Sequence, residues 1–186
     1  MKTSHEGSEP DVVDLQILAA LQEQGRISLT KLAEQVGLSP PAVIERIKKL
    51  EDSQIITGYH ASVDARKLGK DVTAFIGVSI SDPRTIGLFE ETVRRLDDIL
   101  ECHHVTGEHT VLLKVKTNNT SSLENLIRTI RLIDGVSRTE TMVVLSTHTE
   151  RTLICVNPRE LQHEAGNGKR HRHANLKDLN PETRRA

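Results

Sequence analysis

"GLSPPAVIERIKKLE", Gly37 to Glu51, decides how the first third of this chain folds. Gly37 can take positive φ without a steric penalty, so it suits a tight corner. Ser39 is a good N-cap, and Pro40 fits the first helical position, where its missing N–H costs nothing. Pro41 still lies in the first turn. The rest predicts a helix burying Val43, Ile44, Ile47 and Leu50, with Ala42, Glu45, Arg46 and Lys49 turned outward. Upstream, in "DVVDLQILAALQEQG", Asp14 precedes a helical stripe of Ile17, Leu18 and Leu21 that Gly25 closes. Ser28 then caps a second helix carrying Leu32, Ala33 and Val36. Three short helices with a glycine corner before the third make a helix-turn-helix.

The second helix of such a motif enters the DNA major groove. Arg46 is suited to a guanine edge, bidentately, and Lys49 to a phosphate. Ser39 at the helix N-terminus suits a phosphate oxygen. Ser28, Pro40, Ala42, Val43 and Glu45 complete the candidate DNA-contacting set. Basic residues alone are most often a solvated helix face. Corner, caps and the preceding helices are what favour contact with double-stranded DNA.

Working outward, Ile55-Ile56 and residues 60–63 flank Thr57-Gly58, which predicts a small β-hairpin or wing. Residues 64–70 read as a hinge. From Asp71 the period changes to two: Val72, Ala74, Ile76, Val78 and Ile80 alternate with other residues along a strand. Asp82-Pro83 opens a helix with Ile86, Phe89, Val93 and Leu96 on one side. Strands over 99–106 and 110–116 follow, joined by a tight turn at Gly107-Glu108. Asn119 or Ser121 starts a second helix with Leu123, Leu126, Ile127 and Ile130 inward; Gly135 ends it, and 137–147 is a final strand. The order βαββαβ predicts a ferredoxin-like split arrangement, so the fold class is α+β. Helices on one face leave the other sheet face for a dimer partner to cover. The expected organisation is a flexible N-terminus over 1–10, a winged helix-turn-helix over 11–63, the hinge, a sensing domain over 71–152 and a disordered basic tail over 153–186.

Composition narrows the function. Net charge is −1, so nucleic-acid binding must rest on local basic patches. Aromatic content of 2% without Trp argues against an RNA-binding sheet that stacks unpaired bases. The N-terminal "MKTSHEGSEP" lacks a signal-peptide core and no apolar run reaches membrane length, which predicts a cytoplasmic chain without a membrane partner. Two cysteines, Cys102 and Cys155, form no disulfide framework. Neither a phosphate-cradling loop nor a nucleophile with an assigned base is present, so an enzyme is not expected, and no cofactor is.

The stretch "VDLQILAALQEQGRISLTKLAEQVGLSPPAVIERIKKLEDSQIITGYHASVDARKLG" resembles the leucine-responsive/asparagine regulator (Lrp/AsnC, feast/famine) family. The resemblance rests on Asp14 with Ile17-Leu18, Gly25-Arg26-Ile27-Ser28, Val36-Gly37-Leu38-Ser39, Arg46 with Leu50-Glu51, and Ile56-x-Gly58-Tyr59. "CHHVTGEHTVLLKVKT" resembles the family's effector-domain hairpin. The resemblance implies sequence-specific transcriptional control modulated by an amino acid or related metabolite, and dimers that assemble further, for example into an octamer. It also implies an effector site near the hairpin turn, which here means Thr106, Gly107, Glu108, His109 and Thr110. Where the family often reads Gly-Asp-Tyr-Asp, this chain reads Gly107-Glu108-His109-Thr110, so a ligand ammonium loses a charged partner unless Glu108 replaces it.

Two alternatives stand beside this reading. Cys102, His103, His104 and His109 combine soft and imidazole ligands within eight residues, which would make a metal-responsive regulator. Strand alternation sends His103 away from Cys102 and His104, leaving Cys102, His104 and His109 as metal candidates. A buried cysteine with edge histidines is the more common explanation of such a pattern. The other alternative is a stand-alone metabolite-binding module.

Overall fold

In the computed structural model, which describes residues 9–156, Asp11 caps helix α1 (Val12–Glu23). Asp11 accepts from the Asp14 backbone N–H, and Asp14 accepts from that of Asp11, a reciprocal capping box. Helix α2 (Leu29–Val36) is capped by Ser28 and ends at Gly37, whose φ of 70° makes the corner. Helix α3 (Pro40–Asp52) begins with two prolines at its first positions. Ile17, Leu32 and Val43 are fully buried between the three helices, joined by Leu15, Leu18, Ala33 and Leu50.

The expected wing is not a hairpin: residues 53–63 contain no strand. The Ile55 and Ile56 backbone N–H groups both donate to the Leu50 carbonyl, at 2.9 and 3.0 Å, so they are spent on the end of α3 instead of a ladder. Ile56 packs into the helical core, and the Tyr59 hydroxyl donates to Glu51 at 2.9 Å.

The second unit, Ser62–Arg151, runs β1 (Val72–Ile80), α4 (Ile86–Val93), β2 (Ile99–His104), β3 (Val111–Thr117), α5 (Thr120–Arg131) and β4 (Val136–Val143). The sheet is antiparallel with strand order β2-β3-β1-β4, giving the ferredoxin-like βαββαβ arrangement after an N-terminal helix-turn-helix. Ala74, Ile76, Val78, Val111, Leu113 and Val115 point to the helix side and bury against Phe89, Val93, Leu123, Leu126 and Ile130. Phe75 and Gly77 point to the other face, with Lys114 and Leu112 opposite on β3 and Met142 and Glu140 opposite on β4. Asn119 caps α5 by accepting from the Ser122 N–H at 2.9 Å.

Two strands, β2 and β4, are shorter than the pattern predicts, and β3 is displaced by one residue. β2 stops at His104 and β3 starts at Val111 because the Val105 N–H closes the hairpin on the Thr110 carbonyl, while the Thr110 N–H turns to Val78 on β1. β4 ends at Val143, short of Thr147.

Residues 152–156 belong with the helical unit. The Gln22 side-chain amide bonds the Ile154 backbone in both directions, donating to its carbonyl at 3.1 Å and accepting from its N–H at 2.8 Å. Val156 packs against the helical core. The start of the expected tail is therefore held by α1; residues 1–8 and 157–186, which carry the rest of the expected flexible ends, lie outside the described residues. Among the described residues no helix is long and apolar enough to cross a membrane.

Candidate functional site

Helix α3 carries the first candidate surface. Arg46, expected on the outward face, instead folds back onto α1. Its Nη1 donates to Asp11 Oδ2 at 2.7 Å and to Asp14 Oδ1 at 2.8 Å. The Asp14 side chain is only 9% exposed, that of Arg46 32%. The Asp14 backbone N–H and then the Arg46 guanidinium hold the Asp11 carboxyl below its usual range, and the two carboxylates push Arg46 up. A guanidinium engaged this way clamps α3 to the start of α1 instead of standing free on the outward face.

Val43 is fully buried and cannot reach DNA. Ser28 is used as the α2 cap, accepting from the Lys31 N–H at 3.3 Å. Ser39 is exposed and makes no side-chain capping bond, contrary to expectation; its carbonyl receives the Val43 N–H. Pro40, Glu45 and Lys49 are exposed and Ala42 is half-buried. Ile44, expected in the core, is 49% exposed instead. Together with Pro41, Glu45 and Lys48 it forms the outward stripe of α3. The helical period alone left Ile44 on the border of the buried arc, and packing resolved it outward.

The second candidate surface is the turn after β2. Thr110 is structural on one side: its Oγ1 accepts from the Ile80 N–H at 3.1 Å, satisfying β1 where its register with β4 shifts. His109 lies over the open face of the sheet in space that Gly77 leaves, since a Cβ on Gly77 would sit 2.4 Å from the His109 ring. Glu108 accepts from Arg138 Nη1 at 3.0 Å, and Arg138 Nη2 donates to Glu140 at 3.3 Å. His109 Nε2 stands 3.6 Å from the same Glu140, while His109 Nδ1 is buried without a hydrogen-bond partner. Nothing lies within 4 Å of where a Gly107 side chain would begin, so that edge of the turn is open. Arg138 and Glu140 were missed by sequence reasoning, although their alternation along β4 with Met142 would have placed them on the open face.

The candidate metal set does not converge. Cys102 and His104 lie opposite the core residues Leu113 and Val111, and His104 Nε2 meets Glu90 of α4 at 2.6 Å. His103 pairs with Glu101 at 3.2 Å. His109 lies across the sheet from Cys102 and His104, because strand alternation separates the two faces. Burial and then the Glu90 carboxylate push the Cys102 thiol up, away from the thiolate that a metal needs. Among the described residues the ligand-type side chains that gather in a group of three are Glu108, His109 and Glu140, within 4.8 Å, and Arg138 already supplies the cation between the two carboxylates. A cleft of about 380 Å³ on the helix side, lined by Glu90, Arg94, Leu100 and Cys102, is separate from this turn.

The two surfaces coincide with two matched domains. The AsnC-type helix-turn-helix domain matches residues 11–51, and the Lrp/AsnC ligand binding domain matches residues 73–154. The proline dehydrogenase transcriptional activator of Rhizobium radiobacter is 37% identical over 153 residues, covering 81% of this chain and 98% of the relative. The regulatory protein AsnC of Escherichia coli is 33% identical over 144 residues, 77% of this chain and 95% of its own length. Its solved structure superposes with a TM-score of 0.72 over 77% of this chain and 97% of that one. A Neisseria meningitidis transcriptional regulator, solved as a complex with L-methionine, gives a TM-score of 0.76 at 31% identity over 79% and 97% of the two chains. The chain belongs to the Lrp/AsnC family of transcriptional regulators, with a DNA-binding helix-turn-helix and a ligand-binding domain.

Proposed function

We propose that this regulator, acting in the cytoplasm and not as an enzyme, grips double-stranded DNA with the exposed stripe of α3 and is modulated by an amino acid held at the turn over residues 106–110. The observation that carries the DNA half is the uncommitted face of α3, where Ser39, Pro40, Glu45, Lys48 and Lys49 stand exposed while Arg46 does not. Ser39 suits a phosphate oxygen at the helix N-terminus, and Lys48 and Lys49 suit phosphates along the groove wall.

For the effector, Arg138 offers a partner for a ligand carboxylate and Glu108 one for its ammonium, with His109 and the open Gly107 edge beside them. Thr106 adds a hydroxyl at the same turn. The exposed Arg138–Glu108 pair can exchange its partner for a zwitterion with little loss, because an exposed ion pair contributes little by itself. The ligand-bound relative solved with L-methionine supports this class of effector. The open sheet face, with Phe75, Leu112 and Met142 among charges, is suited to a second copy, so the working form is at least a dimer.

The test has two arms. Lys48→Ala with Lys49→Ala should weaken binding to duplex DNA and reduce the slope of log K against log salt by about 2 in magnitude, since each phosphate contact contributes about 0.9. An unchanged slope would remove α3 from the interface. Thermal-shift screening of the amino acids should find one whose stabilisation is lost in Arg138→Ala; a shift that survives that change places the ligand elsewhere.

A further inference from the structure

Ile44 has no structural reason to be isoleucine. It stands 49% exposed on the second turn of α3, five residues after Ser39, with Pro41 three positions before it and Lys48 four positions after it, both exposed. Neighbours at those spacings share one helix face, so Ile44 sits in the middle of the outward stripe and not at the rim of the core. A branched aliphatic at such a helix position loses side-chain freedom, and at 49% exposure Ile44 gains only part of the burial that a core isoleucine has. The buried work of α3 is done by Val43 and Leu50, with Ile47 packed against them.

The helix-turn-helix presents this stripe to the major groove, and the N-terminal half of its second helix is the part that reaches base edges. The groove offers hydrogen-bonding groups from every base pair but only one apolar group, the C5-methyl of thymine. An isoleucine there can bury its methyl groups against that methyl; it cannot satisfy any polar base edge. Lys48 and Lys49 lie one turn further on to grip phosphates, while Arg46, the residue best suited to a guanine, is held by Asp11 and Asp14.

We propose that Ile44 is a specificity-determining residue that reads thymine through its C5-methyl group, selecting sites with a thymine under the second turn of α3. The assignment rests on α3 being the groove-facing helix, as in the proposed function. Glu45, beside it and exposed, disfavours a phosphate there and so helps keep this part of the helix over bases.

The full-length protein is first used to enrich duplexes from a random-sequence library. In an enriched duplex each thymine is then replaced singly by deoxyuridine, which removes the methyl and nothing else. The wild type should lose affinity about fourfold at one thymine per half-site, the fold-change that corresponds to about 0.8 kcal/mol for one buried methyl. Ile44→Ala should lose a similar factor on the thymine duplex, be indifferent to deoxyuridine at that position, and keep its affinity for random duplex. Ile44→Val, which retains a branched aliphatic, should restore most of the thymine preference. The proposal is overturned if no thymine is sensitive, if Ile44→Ala responds to deoxyuridine as the wild type does, or if no sequence is enriched. Lys48→Ala separates the two failures. An unchanged affinity for random duplex there overturns the placement of α3, whereas a weakened one with an insensitive Ile44 overturns only the thymine contact.

Discussion

Two arginines bridge two carboxylates each, and their settings make them different devices. Arg46 joins Asp11 to Asp14 at the start of α1, where the Asp14 side chain is 9% exposed and already shares a capping box with Asp11. Arg138 joins Glu108 to Glu140 on the open face of the sheet, where Arg138 and Glu108 are mostly in solvent and Glu140 is half-exposed. The first network is partly out of water, so removing one member strands a charge. Water and salt screen the second, so its members can trade partners at little cost. The same three-charge composition therefore yields a helix clamp in one unit and an exchangeable pair in the other, which suits the proposed ligand role.

The contrast breaks most visibly at Arg46. Arg46→Ala leaves Asp14 nearly buried without its cation, and the helical unit should lose about 3 kcal/mol of stability, the low end for a broken buried pair because Arg46 is partly exposed. A denaturant midpoint unchanged by this substitution would return Arg46 to the solvated face that the sequence pattern suggested. Next comes the packing beneath His109. Gly77→Ala places a methyl within 2.4 Å of the His109 ring, so the ring must swing out, at about 1–2 kcal/mol for overpacking. Calorimetry of the variant checks this, and a neutral result would mean that the ring moves freely. Arg138→Ala sharpens the comparison from the other side: it should change the melting free energy by less than about 1 kcal/mol. A loss as large as that of Arg46→Ala would make the two networks equivalent.

The smallest effect is the acid response. Hydrogen bonds hold Asp11 below its usual range, chiefly that from the Asp14 N–H, and Lys114 does the same for Glu150. A carboxyl depressed in the folded state contributes stability above its unfolded pKa, near 4, and loses it as pH falls through the lower folded value. Stability should thus be level at neutral pH and decline below about pH 4. In Arg46→Ala that decline should be shallower for the helical unit, read by circular dichroism during acid titration.

Much of this was legible before any coordinates. The glycine corner, the Ser28 cap and the period of two from Val72 to Ile80 all act within a few residues, so local chemistry specifies them; it narrowed the start of α5 to Asn119 or Ser121, and the structure selects Asn119. The turn at Gly107 and its neighbours was legible too, because a hairpin and its loop are sequence-local. The missing wing was not: whether Ile55 and Ile56 enter a ladder depends on the Leu50 carbonyl claiming their N–H groups first.

The amino-acid sequence by itself determined the order of the helices and sheet strands and the class of fold, since period, caps and turn residues need no partner, and its motifs carried the family resemblance. Tertiary structure alone decided the fate of individual side chains. It withdrew Arg46 to Asp11 and Asp14, turned Ile44 out, and separated Cys102 and His104 from His109 by a sheet. Charge pairing and exposure are set by residues distant along the chain: Arg46 lies 32 positions from Asp14, and Arg138 lies 30 from Glu108. A helical or strand period says which way a side chain leaves the backbone; only the packed fold says what is waiting for it there.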